Sequence, residues 1–187
     1  YGTFTVQADG TWTYTMDSAH DEFNAGQTYT DSITVATADG TDTQVITVTI
    51  TGSNDVASIG GVSTGALTET NAVQTATGAL TVSDADAGEA HFVAQTDVAG
   101  ASGYGTFTVQ ENGTWTYTMG SAHNEFNAGQ SYTDSITVAT ADGTDTQVIT
   151  VTITGSNDVA SIGGVSTGEL TETNAVQTAT GALTVSD

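Results

Sequence analysis

The sequence repeats itself with a period of 103 residues, and this repeat limits the fold more than any other feature. Residues 1–84 align with residues 104–187 without a gap, and six positions differ. The differing pairs are Ala8/Glu111, Asp9/Asn112, Asp17/Gly120, Asp21/Asn124, Thr28/Ser131 and Ala66/Glu169. Such self-similarity indicates a tandem array of folded units. We predict the C-terminal part of one unit at 1–55, a complete unit at 56–158 and the N-terminal part of the next at 159–187.

Short alternating segments separated by turn residues predict an all-β unit. In one of them Trp115, Tyr117 and Met119 alternate with threonines, which indicates a strand with one buried face. Asp-Gly pairs mark hairpin turns, and no helical periodicity appears. The predicted strands of the complete unit are 66–70, 76–83, 90–95, 104–110, 114–119, 132–139 and 146–154. We therefore predict a seven-stranded, immunoglobulin-like Greek-key β-sandwich, because such a domain contains about a hundred residues.

The charge of the chain excludes some partners and favours another. The chain has 22 Asp and Glu residues but neither Lys nor Arg, for a formal net charge of −22. No basic side chain can neutralise phosphates, so nucleic acids and anionic membrane surfaces are poor partners. No apolar run reaches the ~18 residues of a membrane span. Clustered carboxylates without basic partners need water, backbone N–H groups or a metal cation. Calcium fits best, since it prefers oxygen ligands and tolerates irregular coordination.

Strand alternation in a Greek-key sandwich should bring acidic loops to the junctions between units. The loop 84–89 should return to the end where the chain enters the complete unit, which we call the first junction. The predicted calcium ligands there are Asn54, Asp55, Asp84, Asp86 and Glu89, with Asp21 or Glu22. At the second junction, where the chain leaves the unit, they are Glu69, Asn157, Asp158 and Asp187. Solvated loops and ordinary turn chemistry are the alternatives.

The order of motifs resembles the VCBS repeats of giant bacterial surface proteins. The matching segments are Leu67-Thr-Glu-Thr70, Ser83-Asp-Ala-Asp-Ala-Gly-Glu89, Tyr104-Gly-Thr-Phe107, Gly113-Thr-Trp-Thr-Tyr117 and Ile149-Thr-Val-Thr-Ile-Thr-Gly-Ser-Asn-Asp158. These repeats are similar to the cadherin-like extender domains of RTX adhesins. The resemblance implies a cadherin-like sandwich, calcium at the junctions, type I secretion to the bacterial cell surface, and a role in adhesion or biofilm.

Three classes of function follow from these features. The first is a structural repeat of an extracellular adhesin or matrix fibre, rigidified by calcium, in which neighbouring copies could complete the partial units. The second is a carbohydrate- or self-binding sandwich, although Trp12 and Trp115 alternate with outward threonines and so favour core packing. An enzyme comes last. His20 and His123 lie near acidic residues, but no nucleophile is paired with a base and a third orienting group.

Overall fold

The computed structural model describes residues 1–186, which form strands and no helix. In chain order the strands are β1 (Gly2–Val6), β2 (Trp12–Met16), β3 (Thr28–Ala36), β4 (Thr43–Thr51), β5 (Ser58–Gly61), β6 (Thr64–Thr68), β7 (Thr75–Ser83), β8 (Gln95–Ala99), β9 (Gly105–Val109), β10 (Thr114–Met119), β11 (Ser131–Ala139), β12 (Thr146–Thr154), β13 (Ser161–Gly164) and β14 (Leu183–Ser186). The all-β prediction is confirmed. Within the described residues there is no helix long and apolar enough to cross a membrane.

Strands β5 to β12 form two sheets that enclose one core. The larger sheet has the order β5-β7-β10-β9-β8, and all its neighbours are antiparallel. The smaller sheet has the order β11-β12-β6, in which β6 runs parallel to β12. The chain passes from the larger sheet at β5 to the smaller at β6 and back at β7. This crossing ties the two sheets together at the start of the sandwich.

The alternation seen in the sequence places one face of each central strand in the core. On β10, Trp115 and Tyr117 are fully buried, while the threonines that alternate with them lie on the other face and are more exposed. On β12, Ile149, Val151 and Ile153 are equally buried and face them from the smaller sheet. Each large apolar side chain buried in this way stabilises the fold by roughly 1.5–3 kcal/mol. The sandwich is therefore held together mainly by its central strands.

Trp115 requires a glycine on the neighbouring strand. Its indole ring lies over Gly78 of β7, where an added Cβ would stand 2.5 Å from the ring. Its indole N–H donates a hydrogen bond to the carbonyl oxygen of Val62, with the two atoms 2.7 Å apart. A buried indole normally needs such an acceptor. Trp115 is thus a core residue, as its alternation predicted.

Tyr132 and its copy Tyr29 each form a tyrosine corner. Each tyrosine follows a long polar loop and begins a long strand. The backbone N–H of Asn127 donates to the Tyr132 hydroxyl at 3.1 Å, and that of Asn24 donates to the Tyr29 hydroxyl at 3.3 Å. This bond to the backbone a few residues upstream is typical of immunoglobulin-like sandwiches.

Within the described chain the complete unit has eight strands rather than the seven predicted. The additional strand is β5, whose single large apolar residue, Ile59, gives almost no alternation. The strand predicted at 90–95 is an isolated bridge between Phe92 and Thr140, and β8 begins only at Gln95. The backbone of Phe92 donates to Glu111, whereas that of the next residue donates to Ala139. This segment therefore spans two sheets and cannot form a continuous ladder with either.

The partial units repeat the pairings of the complete one. Strands β1 and β2 pair in the register of β9 and β10, and β3 and β4 pair in that of β11 and β12. Strands β13 and β14 pair as β5 pairs with the end of β7. These three strand pairs thus have the same local structure in both copies.

Candidate metal centre

The first junction brings the loop after β7 against the incoming chain. The backbone N–H of Asp55 donates to Asp86 Oδ2 at 2.7 Å, and that of Asp86 donates to Asp84 Oδ1 at 3.0 Å. These bonds fix the acidic loop beside Asn54-Asp55, at the end of the sandwich that strand alternation predicts. The carboxylates are therefore held by backbone groups rather than by basic side chains.

The preceding partial unit also contacts this loop. The side-chain amide of Asn24 donates to the carbonyl oxygen of Ala87 at 2.8 Å and to Glu89 Oε1 at 3.0 Å. Asp21 of the same unit lies close enough to affect the ionisation of Asp55. The first junction is thus built from the preceding unit, the linking segment and the complete unit.

Asp142 joins this site, although the sequence reasoning missed it. The turn between β11 and β12 places one of its carboxylate oxygens within 4.8 Å of oxygens from Asp84 and Glu89. The amide of Asn54 donates to Asp142 Oδ2 at 3.2 Å. The Asp-Gly pair at this position has a sufficient local explanation as a turn. The useful signal was topological, because the β11–β12 turn and the β7–β8 loop lie at the same end of the sandwich.

Two carboxylate oxygens at the first junction have no hydrogen-bond donor. Asp86 is only 2% exposed, yet its Oδ1 has no partner, and the same is true of the buried Oδ2 of Asp84. A buried carboxylate oxygen without a partner is costly. A bound cation would remove that cost, and the available ligands are all hard oxygen atoms. The residues therefore fit calcium by number, type and burial.

The carboxylates of the first junction repel one another, and this repulsion affects the pKa of Asp55. Partial burial raises the pKa of Asp55, and the charges of Asp21, Asp86 and Asp84 raise it further. Hydrogen bonds from the hydroxyls of neighbouring threonines lower the pKa of Asp142, which keeps that carboxylate ionised at neutral pH. A divalent cation at this position would convert the repulsion into attraction.

Glu22, the other candidate from the preceding unit, is paired with a histidine of its own loop. Its carboxylate accepts a hydrogen bond from His20 Nδ1 at 2.8 Å, and this contact lowers the pKa of Glu22. His123 and Glu125 make the same pair in the second copy, at 2.7 Å. The hydrogen bond of Glu22 therefore stabilises the loop that contains it.

The second junction has a different arrangement. Glu69 is fully buried, and its Oε2 accepts hydrogen bonds from the backbone N–H and the hydroxyl of Ser156, at 3.0 and 2.9 Å. Its Oε1 has no partner. Asn157 and Asp158 line a neighbouring pocket of about 300 Å³ together with Asn124. Asp187 lies outside the described residues, and among residues 1–186 no trio of acidic groups comparable to that of the first junction occurs here.

Two sequence comparisons relate the chain to known proteins. Residues 54–155 match the family described as the bacterial cadherin-like domain. The chain is also 30% identical over 178 residues to the calcium-binding lectin RapA2 of Rhizobium johnstonii. That alignment covers 84% of this chain and 73% of the relative. The matched family segment contains all of β5 to β12 and every acidic residue that the complete unit contributes to the first junction.

Proposed function

The chain belongs to the bacterial cadherin-like domain family, and from this membership we propose that it is a non-enzymatic structural module of an extracellular bacterial adhesin. In this proposal units at 1–55, 56–158 and 159–187 follow one another as an extender, and calcium at their junctions makes the array rigid. Export by a type I system to the cell surface and a contribution to adhesion, biofilm or a matrix fibre belong to the same proposal.

The observation that carries the proposal is the meeting of three separate segments at the first junction. Oxygens of Asp84, Glu89 and Asp142 lie within 4.8 Å of one another, and the buried Asp86 next to them has an oxygen without a donor. Asn24 connects the preceding unit to the same loop. Calcium held there would link the two sheets of the complete unit to the unit before it. Bending at the junction would then require breaking ligand bonds.

The expected strength of this effect follows from mass action. Extracellular calcium modules typically bind with Kd values of roughly 10⁻⁴–10⁻³ M. At millimolar calcium, which is about one to ten times Kd, one site adds about 0.4–1.4 kcal/mol to the folded state. Against the ~5–15 kcal/mol of an ordinary domain, this is enough to shift a melting temperature measurably. Inside a cell, where free calcium is far lower, the array would stay pliable enough for export.

The test compares two identical turns that differ only in their surroundings. Asp142→Asn removes a carboxylate from the proposed site, whereas Asp39→Asn removes its copy from an exposed turn, where Asp39 bonds only to neighbouring threonines. Millimolar calcium should raise the melting temperature of the wild type and of Asp39→Asn, and should raise that of Asp142→Asn much less. Equal calcium responses in the two variants would refute the assignment.

A second measurement addresses rigidity. Small-angle scattering should show a longer maximum dimension with calcium than with chelator. Replacing both Asp84 and Asp86 by alanine should abolish this difference while the sandwich stays folded. Sodium at matched ionic strength should reproduce only part of the effect, because screening weakens repulsion without bridging the junction. If sodium alone restores both length and melting temperature, the carboxylates are solvated loops.

The second candidate is a carbohydrate-binding module, because the curated relative is a lectin. Binding of sugars in calcium, abolished by chelator and by Asp142→Asn, would favour it. The buried position of Trp115 disfavours a stacking role for that side chain in the complete unit. Calcium-dependent rigidity without any sugar binding would leave the structural role alone.

A further inference from the structure

The free edge of β5, the one that does not pair with β7, is covered by the turn between β11 and β12. The backbone N–H of Ala57, just before β5, donates to the Thr144 hydroxyl oxygen at 2.9 Å. The backbone N–H of Ile59 donates to Asp145 Oδ2 at 3.0 Å. Strand edges without such partners are open to pairing with other chains. We call residues 142–145 the clamp.

Thr144 connects the clamp to the candidate calcium site through a single oxygen atom. Its hydroxyl donates to Asp142 Oδ2, while the same oxygen accepts the backbone N–H of Ala57. The side-chain amide of Asn54 donates to Asp142 Oδ2 as well, at 3.2 Å. A hydroxyl has a single proton, so donation to Asp142 leaves its lone pairs for Ala57. The direction of the Asp142 carboxylate and the position of the incoming chain are therefore set together.

Asp145 belongs to the clamp but differs from the candidate calcium ligands. Its Oδ2 accepts the N–H of Ile59, and its Oδ1 accepts the N–H of Thr146 at 2.7 Å. Each oxygen of this carboxylate therefore has a backbone donor. By contrast, Asp84 Oδ2 and Asp86 Oδ1 are buried without a hydrogen-bond partner. Asp145 thus holds β5 in place, whereas the oxygens that lack donors lie in the acidic loop after β7.

Strand β5 has few contacts of its own to keep it ordered. It pairs with β7 over four residues, Ser58–Gly61. Its one large apolar side chain, Ile59, is only partly buried against the core. Segments with few buried apolar contacts open locally at a low cost in free energy. The order of β5 therefore depends on the clamp as well as on its pairing with β7.

We propose that the clamp couples calcium binding at the first junction to the ordering of β5, with Thr144 and Asp145 as positioning residues. With Asp142 fixed as a ligand, the Thr144 hydroxyl is fixed too, and with it the N–H of Ala57. The coupling is reciprocal, because calcium favours an ordered clamp as much as an ordered clamp favours calcium. Partners that orient a metal ligand typically contribute about 10–100-fold to affinity. The inference rests on the proposed calcium site and adds the path from that site to the first strand of the sandwich.

Amide hydrogen exchange measured by NMR tests the effect of calcium on β5. At calcium about tenfold above its Kd, exchange of the Ala57 and Ile59 amides should slow about tenfold, because their opening would release the ion. The amide of Gly103, which bonds locally in the turn between β8 and β9, should not respond. Thr144→Val should remove the response at Ala57, and Asp145→Ala should remove it at Ile59. Unchanged exchange at both β5 amides in the wild type overturns the proposal.

Calcium affinity measured by isothermal titration calorimetry tests the reverse direction of the coupling. Thr144→Val removes the connecting hydroxyl without changing the net charge, and should weaken calcium binding by about 10–100-fold. Thr144→Ser keeps the hydroxyl and should bind calcium like the wild type. The matched control is Thr41→Val in the first copy of the turn, where the Thr41 hydroxyl donates to Asp39 Oδ1 at 2.9 Å. This control should leave the affinity unchanged.

The outcomes separate this inference from the calcium proposal. A wild type that binds no calcium overturns both. A wild type that binds calcium, with Thr144→Val binding it equally tightly, overturns the coupling and leaves the calcium proposal standing. Thr144→Ser binding as weakly as Thr144→Val also overturns the coupling, because the hydroxyl would not be the cause. Thr144 is exposed, so its variants should fold, which cooperative thermal melting checks, and the wild-type exchange response tests the coupling without any variant.

Discussion

Substituting Asp134 with asparagine separates two effects that act in opposite directions in this acidic chain. Asp134 lies on β11 and is buried between the sheets. Its carboxylate accepts five hydrogen bonds, four from backbone N–H groups and one from a hydroxyl. The donors are the N–H groups of Ser102 (2.8 Å), Tyr104 (3.0 Å), Gly105 (3.1 Å) and Ser135 (3.0 Å), and the hydroxyl of Tyr117 (3.2 Å). Burial raises the pKa of Tyr117, and the charge of Asp134 raises it further, so this hydroxyl stays a donor.

The structure gives the size of the expected loss. Asparagine keeps one oxygen, which can serve Ser102 and Ser135, but its NH₂ group replaces Oδ2. The N–H groups of Tyr104 and Gly105 then face another donor, whereas the Tyr117 hydroxyl can turn and accept. Two buried donors without a partner cost about 1–3 kcal/mol each, or about 2–6 kcal/mol together. Removing one of the 22 acidic charges returns at most ~1 kcal/mol of repulsion.

Urea unfolding measured by Trp115 fluorescence, in a Trp12→Phe background, should therefore show a clearly lower midpoint for Asp134→Asn. The matched control is Asp31→Asn. Asp31 accepts a hydrogen bond from the Tyr14 hydroxyl at 3.0 Å, but its side chain is 29% exposed, so water can replace lost partners. The control should change the midpoint far less. An unchanged or higher midpoint for Asp134→Asn would show that relief of repulsion outweighs the hydrogen bonds, and would refute this reasoning.

Two further predictions concern the pH dependence of stability and the packing of the core. The two ring nitrogens of His123 lie 2.7 Å from the Glu125 carboxylate and 2.7 Å from the backbone carbonyl oxygen of Tyr104. Burial lowers the pKa of His123, but these hydrogen bonds raise it, so that the pKa lies above 6.5. The stability that His123 contributes is complete below about pH 6.5, the pKa in the unfolded chain, and is lost as pH rises through the raised pKa of the folded state. The urea midpoint should therefore fall as pH rises above about 6.5, and His123→Gln should flatten this slope. Gly78→Val should lower the free energy of unfolding by about 1–3 kcal/mol or more through overlap with Trp115, and so lower the urea midpoint, whereas Thr77→Val at an exposed position should not; equal effects would contradict the packing argument.

Strands with strong local alternation could be predicted from the sequence, and those defined by distant contacts could not. Strand β10 could be predicted because apolar and threonine residues alternate through its whole length. Strand β5 contains one large apolar residue, Ile59, so it shows no alternation. It is a strand because its backbone pairs with β7, which is distant in sequence. Phe92 is buried, but the backbone of its segment bonds both to the β9–β10 hairpin of one sheet and to β11 of the other. No one-dimensional pattern encodes that division.

The candidate site divides in the same way. Asp84, Asp86 and Glu89 were found because they cluster in the chain, and Asp55 because the topology returned their loop to it. Asp142 was missed because it lies far from that cluster in the sequence. In the structure its carboxylate oxygen lies within 4.8 Å of oxygens of Asp84 and Glu89. Local turn chemistry explained its Asp-Gly pair completely. Only the positions of both turns at one end of the sandwich identify it as a partner.

The differences between the repeats bear on the junctions unequally. At the first junction, burial raises the pKa of Asp55, and the negative charge of the nearby Asp21 raises it further. At the second junction the same position is Asn124, which lines the pocket beside Asp158 with a neutral amide. The number of charged ligands sets calcium affinity in sites of this type. Under the calcium proposal, two junctions of one nearly identical array are therefore not equivalent, and the first would become rigid at lower calcium than the second.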